Sequence, residues 1–185
     1  MRHSTRWWKR STEIAKHRPL NRQMETVLLD TDVFSFLLKG REQAELYRKH
    51  VEGRMIALTF VTVGELYAGM IKAKWMQASV IQCEQRIKAT VVLPYDVGVC
   101  KAYAEIKNEL RHDPIAPNDL WIASCARRYS VPLVTHNRNH FDRVRNLTVI
   151  SEAPHVERAS VSAPGETVAA PLGSHGALAT EEATP

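Results

Sequence analysis

The sequence predicts an α/β fold, a three-layer α/β/α sandwich built on a central, mostly parallel sheet. Two observations predict it. Short apolar runs recur at 26–30, 55–59, 91–93, 132–135 and 147–150 without alternating polar residues, as strands buried on both faces do. Stretches of helical period separate them. A composition of 44% apolar and 24% charged residues in 185 supports one core and excludes a wholly disordered chain.

Each element has its own signal. Thr26-Val27-Leu28-Leu29-Asp30 reads as a buried strand that ends in an acid. Thr31 or Asp32 is expected to cap a helix over 33–38, and Gly40 to stop it. Residues 42–51 form a second helix with Ala44, Tyr47 and Val51 on one face, broken by Gly53. The strand 55–59 follows. Thr62 is then expected to cap a helix to about 74, with Val63, Leu66, Tyr67 and Met70 at helical spacing, and 76–90 to continue as helix. After the strand at 91–93, residues 97–110 are amphipathic, Pro114 and Pro117 mark a loop, and Asn118 is expected to cap a helix over 119–129. The strands at 132–135 and 147–150 complete the sheet.

Charge divides the chain into three parts. Residues 1–25 carry seven Lys/Arg against two Glu, a basic arm of net +5. Residues 153–185 are rich in Ala, Pro, Gly, Ser and Thr with few large apolar side chains, so an acidic, disordered tail is expected there; from 151 to the end the net charge is −4. The body, 26–152, is expected to be the folded domain, and residues 26–150 carry net +4. A basic body suits a polyanionic partner, although solvated helix faces explain the same charge. The arm lacks the apolar segment of a secretory signal. No apolar run approaches the roughly 18 residues of a bilayer span, so no membrane partner is expected. Three widely spaced cysteines, Cys83, Cys100 and Cys125, fit neither a disulfide framework nor a metal knuckle and point to a reducing cytoplasm.

In an open parallel sheet, ligands sit beyond the carboxyl ends of the strands. Three acids depart from their local pattern near such positions: Asp30 ends an apolar strand, Glu65 lies between Val63 and Leu66, and Asp119 opens an apolar helix. If the three converge, their repulsion calls for a cation, and carboxylates with open positions suit Mg²⁺, with Mn²⁺ as a substitute. Such ions activate water and stabilise the oxygens of a phosphodiester under in-line attack. Each acid also has a plainer reading. Asp30 fits a helix cap, Glu65 a surface acid or a partner for Arg54 or Lys72, and Asp119 a first-turn acid favoured by the helix dipole.

Four blocks carry a resemblance: VLLDTDVFSFLL at 27–38, TVGELYAG at 62–69, NDLWIAS at 118–124 and VPLVTHNRNHFDRVRNL at 131–147. In this order and spacing they resemble the PIN-domain family, and within it the VapC-type toxins of bacterial toxin–antitoxin pairs. The resemblance implies a Mg²⁺-dependent endoribonuclease acting on structured RNA such as tRNA or rRNA, inhibited by a small cognate antitoxin and expected to form a homodimer. Asp30, Glu65 and Asp119 match the family's metal-binding acids. Asp32 stands two residues after the first acid, where it helps shape the site, Thr31 and Thr135 are the flanking hydroxyls, and Asn118 precedes the third acid. Asn137 stands where many relatives carry Asp, which leaves a second metal ion open. The antitoxin's groove is expected on the helices at 33–51 and 62–81.

Other residues are weighed against these. His136 and His140 have the spacing of a metal pair but no accompanying motif, and contact with RNA phosphate is the preferred role. Arg127, Arg128, Arg138, Arg143 and Arg145 are candidates for an RNA path. Trp7 and Trp8 could stack on bases, although packing on the body or disorder is the preferred reading, while Trp121 and Tyr67 read as core or interface. Two competing functions remain. One is a haloacid-dehalogenase-type phosphatase using Asp30 as nucleophile and Asp32 as acid/base, which lacks the expected acid pair after the fourth strand. The other is a catalytically weak binding module of the same fold, kept open by Asn137.

Overall fold

The structure is a computed structural model and describes residues 25–154. The expectations for the basic arm, for Trp7 and Trp8, and for the tail beyond Pro154 lie outside the described residues. The described residues form five strands, β1 (Thr26–Leu29), β2 (Met55–Leu58), β3 (Val91–Val92), β4 (Leu133–Val134) and β5 (Val149–Ile150). Seven helices accompany them: α1 (Thr31–Lys39), α2 (Gln43–Val51), α3 (Phe60–Lys72), α4 (Gln77–Lys88), α5 (Val97–Glu109), α6 (Pro117–Tyr129) and α7 (Arg138–Phe141).

All the strands pair in parallel, in the order β3-β2-β1-β4-β5. Successive strand residues point to opposite faces, and both faces are buried. Val27, Leu29, Ile56, Leu58 and Val134 pack on one side against Phe34, Leu37, Tyr47, Leu66 and Cys83. Leu28, Ala57 and Leu133 pack on the other against Val99, Ile106, Leu120, Ile122 and Phe141. This double burial is why β1, β2 and β4 are uninterrupted apolar runs, whereas Val91 and Val92 of the edge strand β3 are each 43% exposed. No helix among the described residues is long and apolar enough to cross a membrane.

Three helix starts differ from expectation. Asp30, not Thr31 or Asp32, caps α1: its N–H still bonds Val134 O at 3.0 Å, so its backbone stays extended while its side chain accepts from Thr31 N. Thr59, not Thr62, caps α3, with its hydroxyl accepting from Thr62 N at 3.0 Å. Asn118 does not cap α6. Pro117 already occupies the first turn, where its missing N–H costs nothing, so the helix starts earlier and the Asn118 side chain is left for another task. The helix expected to run on through 76–90 is interrupted at Lys74, which takes a left-handed φ of 48° between α3 and α4. Gly40 and Gly53 both have positive φ, as helix-stopping positions require. The single turn α7 is too short to show a period in sequence.

Candidate active site

The chain runs outward from β1 through β2 and β3, then returns to the other side of β1 for β4 and β5. The sheet therefore has its switch point between β1 and β4, and a crevice opens beyond their carboxyl ends. Asp30 follows β1 there, and Thr135 follows β4.

Asp30 is only 5% exposed. Its Oδ2 accepts from the Thr135 hydroxyl at 2.7 Å, and its Oδ1 accepts from Thr31 N at 2.7 Å. Thr135 is itself held: its hydroxyl accepts from Asn137 N at 2.9 Å, and its carbonyl accepts from the buried Tyr47 hydroxyl at 3.2 Å. Burial pushes the Asp30 carboxyl up to about 6, against the pull of the Thr135 and Thr31 hydrogen bonds; the charges of Asp119 and Asp32 push it further up. Asp119 is thus close enough for its charge to be felt at Asp30.

Glu65, on α3, is half-buried and clamped at both oxygens. The Thr31 hydroxyl donates to Oε2, and the Asn118 side-chain amide donates to Oε1 at 2.6 Å. Thr31 thereby joins two of the acids, giving its N–H to Asp30 and its hydroxyl to Glu65. Asp119 stands in the first turn of α6, with its side chain 17% exposed, and its Oδ2 lies 2.7 Å from His140 Nδ1. Asp32 and Asn137 are exposed at the rim.

The acids do not collapse into a ready-made cage. Among the described residues, no group of three His, Cys, Asp or Glu side chains is gathered around one point as metal ligands. Thr31 bridges Asp30 and Glu65, and Asn118 holds the other oxygen of Glu65. The donor set still fits a hard divalent cation, because Mg²⁺ keeps several waters and takes only one or two protein carboxylates directly. A buried carboxyl raised by burial and by a neighbouring acid is the kind of group whose charge a cation would stabilise.

Four of the five candidate arginines are paired with acids: Arg127 with Glu105 and Glu109, both at 2.8 Å, Arg128 with Asp96 at 2.9 Å, Arg138 with Asp142 at 3.5 Å, and Arg143 with Asp113. His136 and His140 meet different partners: His136 Nδ1 lies 2.8 Å from the Tyr47 hydroxyl and His140 Nδ1 lies 2.7 Å from Asp119 Oδ2. Glu65 does not partner Arg54, which pairs with Glu25 at 3.2 Å. The capping reading of Asp30 and the first-turn reading of Asp119 both hold alongside their place in the crevice. Tyr47 is not among the candidates read from sequence, and His140 is weighed there without its contact to Asp119. Tyr47 reads as one more apolar position on α2, and nothing local to either residue reveals a partner about ninety or twenty residues away.

Comparison with known proteins agrees with this geometry. The family model described as PIN domain matches residues 27–147. Ribonuclease VapC1 of Haemophilus influenzae is 30% identical over 124 residues, 65% of this chain and 92% of that protein. The tRNA(fMet)-specific endonuclease VapC of Shigella flexneri is 28% identical over 122 residues, again 65% and 92%. The solved structure of VapBC-1 from nontypeable Haemophilus influenzae is 28% identical with a TM-score of 0.59, covering 68% of this chain and 97% of that one. With the match to the PIN domain model, and with Thr135-His136-Asn137 in place of an acid pair after β4, the phosphatase reading falls away. From its sheet order to the blocks around Asp30, Glu65 and Asp119, the chain belongs to the PIN domain family.

Proposed function

We propose that this chain is an endoribonuclease of the VapC toxin kind, which cleaves RNA phosphodiesters with the help of Mg²⁺ and is held in check by a small antitoxin. The observation that carries the reading is Asp30: a buried carboxyl at the switch point, gripped by Thr135 and Thr31, with the charge of Asp119 close by. The ribonuclease names of the relatives support the reaction class.

Asp30 and Asp119 would hold the cation, with Glu65 reaching it directly or through water. Bound there, Mg²⁺ would lower the pKa of a water and stabilise the charge that builds on the phosphate oxygens. The protein's own part is orientation. Thr135 and the Thr31 N–H fix the direction of Asp30, and Thr31 with Asn118 fixes that of Glu65. His140 does the same for Asp119. Asn137 leaves the fourth family position neutral, so a single cation is the simpler occupancy. Ser124 is buried and bonded to Leu120 O, which leaves no role for it as a nucleophile.

The substrate is RNA, of the tRNA or rRNA class by kinship with the relatives. Exposed apolar residues on α2, α3 and α4 (Leu46, Tyr67, Ile71 and Ile81), with Met76 just before α4, support an antitoxin groove on these helices. A homodimer and a cytoplasmic location complete the proposal. The test is purified protein on total RNA, with Mg²⁺ and with EDTA, and with the ends of the products mapped. Defined cuts that need Mg²⁺ and vanish in Asp30→Ala and Asp119→Ala are expected. Cutting that persists in both variants would remove the catalytic reading, and RNA binding without cutting would leave the binding module.

A further inference from the structure

We propose that Phe60, Tyr95, Tyr103 and Trp121 form a stacking platform for an unpaired nucleobase of the RNA, beside the acids. This deepens the endoribonuclease reading and rests on it.

The four rings come from four elements that meet at the β2–β3 side of the crevice. Phe60 opens α3 directly after β2, and Tyr95 follows β3. Tyr103 lies on α5 and Trp121 on α6. The platform adjoins the acids through both helices that carry them. Trp121 is three residues from Asn118, hence on the same helix face, and Asn118 holds Glu65, which shares α3 with Phe60.

The rings form one cluster. Tyr103 stacks on Trp121 at 4.1 Å and 28°. Phe60 and Tyr95 meet edge to face at 5.8 Å and 83°, and lie 6.0 and 6.2 Å from Trp121. Trp121 is half-buried, whereas Phe60 is 41% and Tyr95 60% exposed.

An aromatic this exposed is ordinarily free to move, but the segment carrying Tyr95 is tied at each residue. Pro94 O accepts from the Tyr129 hydroxyl at 2.8 Å, and the Tyr95 hydroxyl lies 2.9 Å from Cys100 Sγ. Asp96 accepts from Val99 N at 2.8 Å and pairs with Arg128 at 2.9 Å. Holding exposed rings in place removes the ordering cost from a later binding event.

A nucleobase is the occupant these features favour. Every base offers a π-face, and stacking tolerates any sequence. Residues 26–150 as a whole carry net +4, which suits a partner with phosphates. Arg127, Arg128 and Arg143 are closed onto acids, so a guanidinium clamp does not form here, and the rings are the feature at this edge suited to RNA. Lys107 Nζ lies 5.8 Å from the Tyr103 ring, at the platform's rim.

The experiment uses the full chain in EDTA, so that binding is read without cutting. Fluorescence anisotropy compares a mixed-sequence single-stranded RNA octamer with an octamer whose central bases are replaced by abasic riboses. The wild type is expected to prefer the intact octamer about tenfold, from one to two stacked bases. Tyr95→Ala and Phe60→Ala are expected to reduce that preference to about twofold or less, while Tyr95→Phe keeps it. An unchanged preference in the alanine variants would overturn the platform. So would a dimer that falls to monomers in those variants while the preference persists, which would make the surface a contact between copies of the chain. If the wild type cuts no RNA yet Tyr95→Ala abolishes the preference, the platform stands and the nuclease reading fails. If it cuts RNA and the preference is unmoved, the reverse holds.

Discussion

The Thr135 hydroxyl donates to Asp30 Oδ2 at 2.7 Å, across 105 residues of chain. The parallel pairing of β1 with β4, with Leu29 opposite Val134, puts the two residues side by side at the strand ends. Thr135→Val keeps the shape and removes the donor. It is expected to lower stability at pH 8 by about 1–3 kcal/mol, because a buried carboxylate loses a partner. RNA cleavage is expected to fall roughly ten- to a hundredfold, as for other residues that orient a ligand. Urea unfolding and a cleavage assay on the same preparation check both.

Asp30 makes the metal-free protein sensitive to pH. Its folded value, about 6, lies above the ordinary 3.8, so the folded state holds this proton more tightly than the unfolded chain. The associated stability is complete below pH 3.8 and is lost as pH rises through about 6. The difference between those limits corresponds to about 3 kcal/mol. Asp30→Asn is therefore expected to be more stable than wild type at pH 8 in EDTA, with the difference closing near pH 4. Denaturant titrations at several pH values test this, and equal pH slopes for the two proteins would refute it. Under the proposed function, Mg²⁺ at pH 8 is expected to raise the melting temperature of the wild type and not that of Asp30→Asn.

Glu65 depends on two donors, so its direction is sensitive to both. Thr31→Val and Asn118→Ala are each expected to reduce kcat roughly ten- to a hundredfold with the fold retained. Asn118→Asp is expected to be worse, because it sets a like charge against Glu65 at hydrogen-bond distance. Circular dichroism with single-turnover cleavage separates loss of fold from loss of orientation.

Tyr47 supports the crevice from beneath. Its hydroxyl donates to Thr135 O, lies 2.8 Å from His136 Nδ1 and accepts from Glu152 N at 3.3 Å. Tyr47→Phe keeps the ring packing and removes this junction, and is expected to cost about 1–3 kcal/mol in urea unfolding. Phe141→Ala acts on the other side. The ring is fully buried in α7, next to the residues that present Asn137 and His140, and its loss is expected to cost about 3–5 kcal/mol. Thermal melts of the two variants give the comparison.

Asp30 was readable in the sequence because an acid at the end of an apolar run breaks a pattern that double burial otherwise enforces. Glu65 and Asp119 were weaker signals, since an acid on a helix has ordinary surface roles, and only their order within the four family-like blocks raised them. The helix starts were misread where several cap-competent residues adjoin. Asp30, Thr31 and Asp32 are chemically similar as caps, and the choice among them was made by how far the β1–β4 pairing extends. The partners of the arginines are hidden from the sequence for a related reason. Glu105, Glu109, Asp96 and Asp113, which neutralise them, lie on other elements.

What the linear chain determined was the periodic part: five short apolar strands, the helices between them, and the acids that interrupt the pattern. These follow from neighbour-to-neighbour spacing, which burial translates directly into residue type. What only the tertiary structure decided was the set of pairings at the crevice, Thr135 with Asp30, Asn118 with Glu65 and His140 with Asp119. Each joins residues whose distance is set by strand order and helix placement, and a hydrogen bond, being short and directional, exists only once those have brought donor and acceptor within about 3 Å.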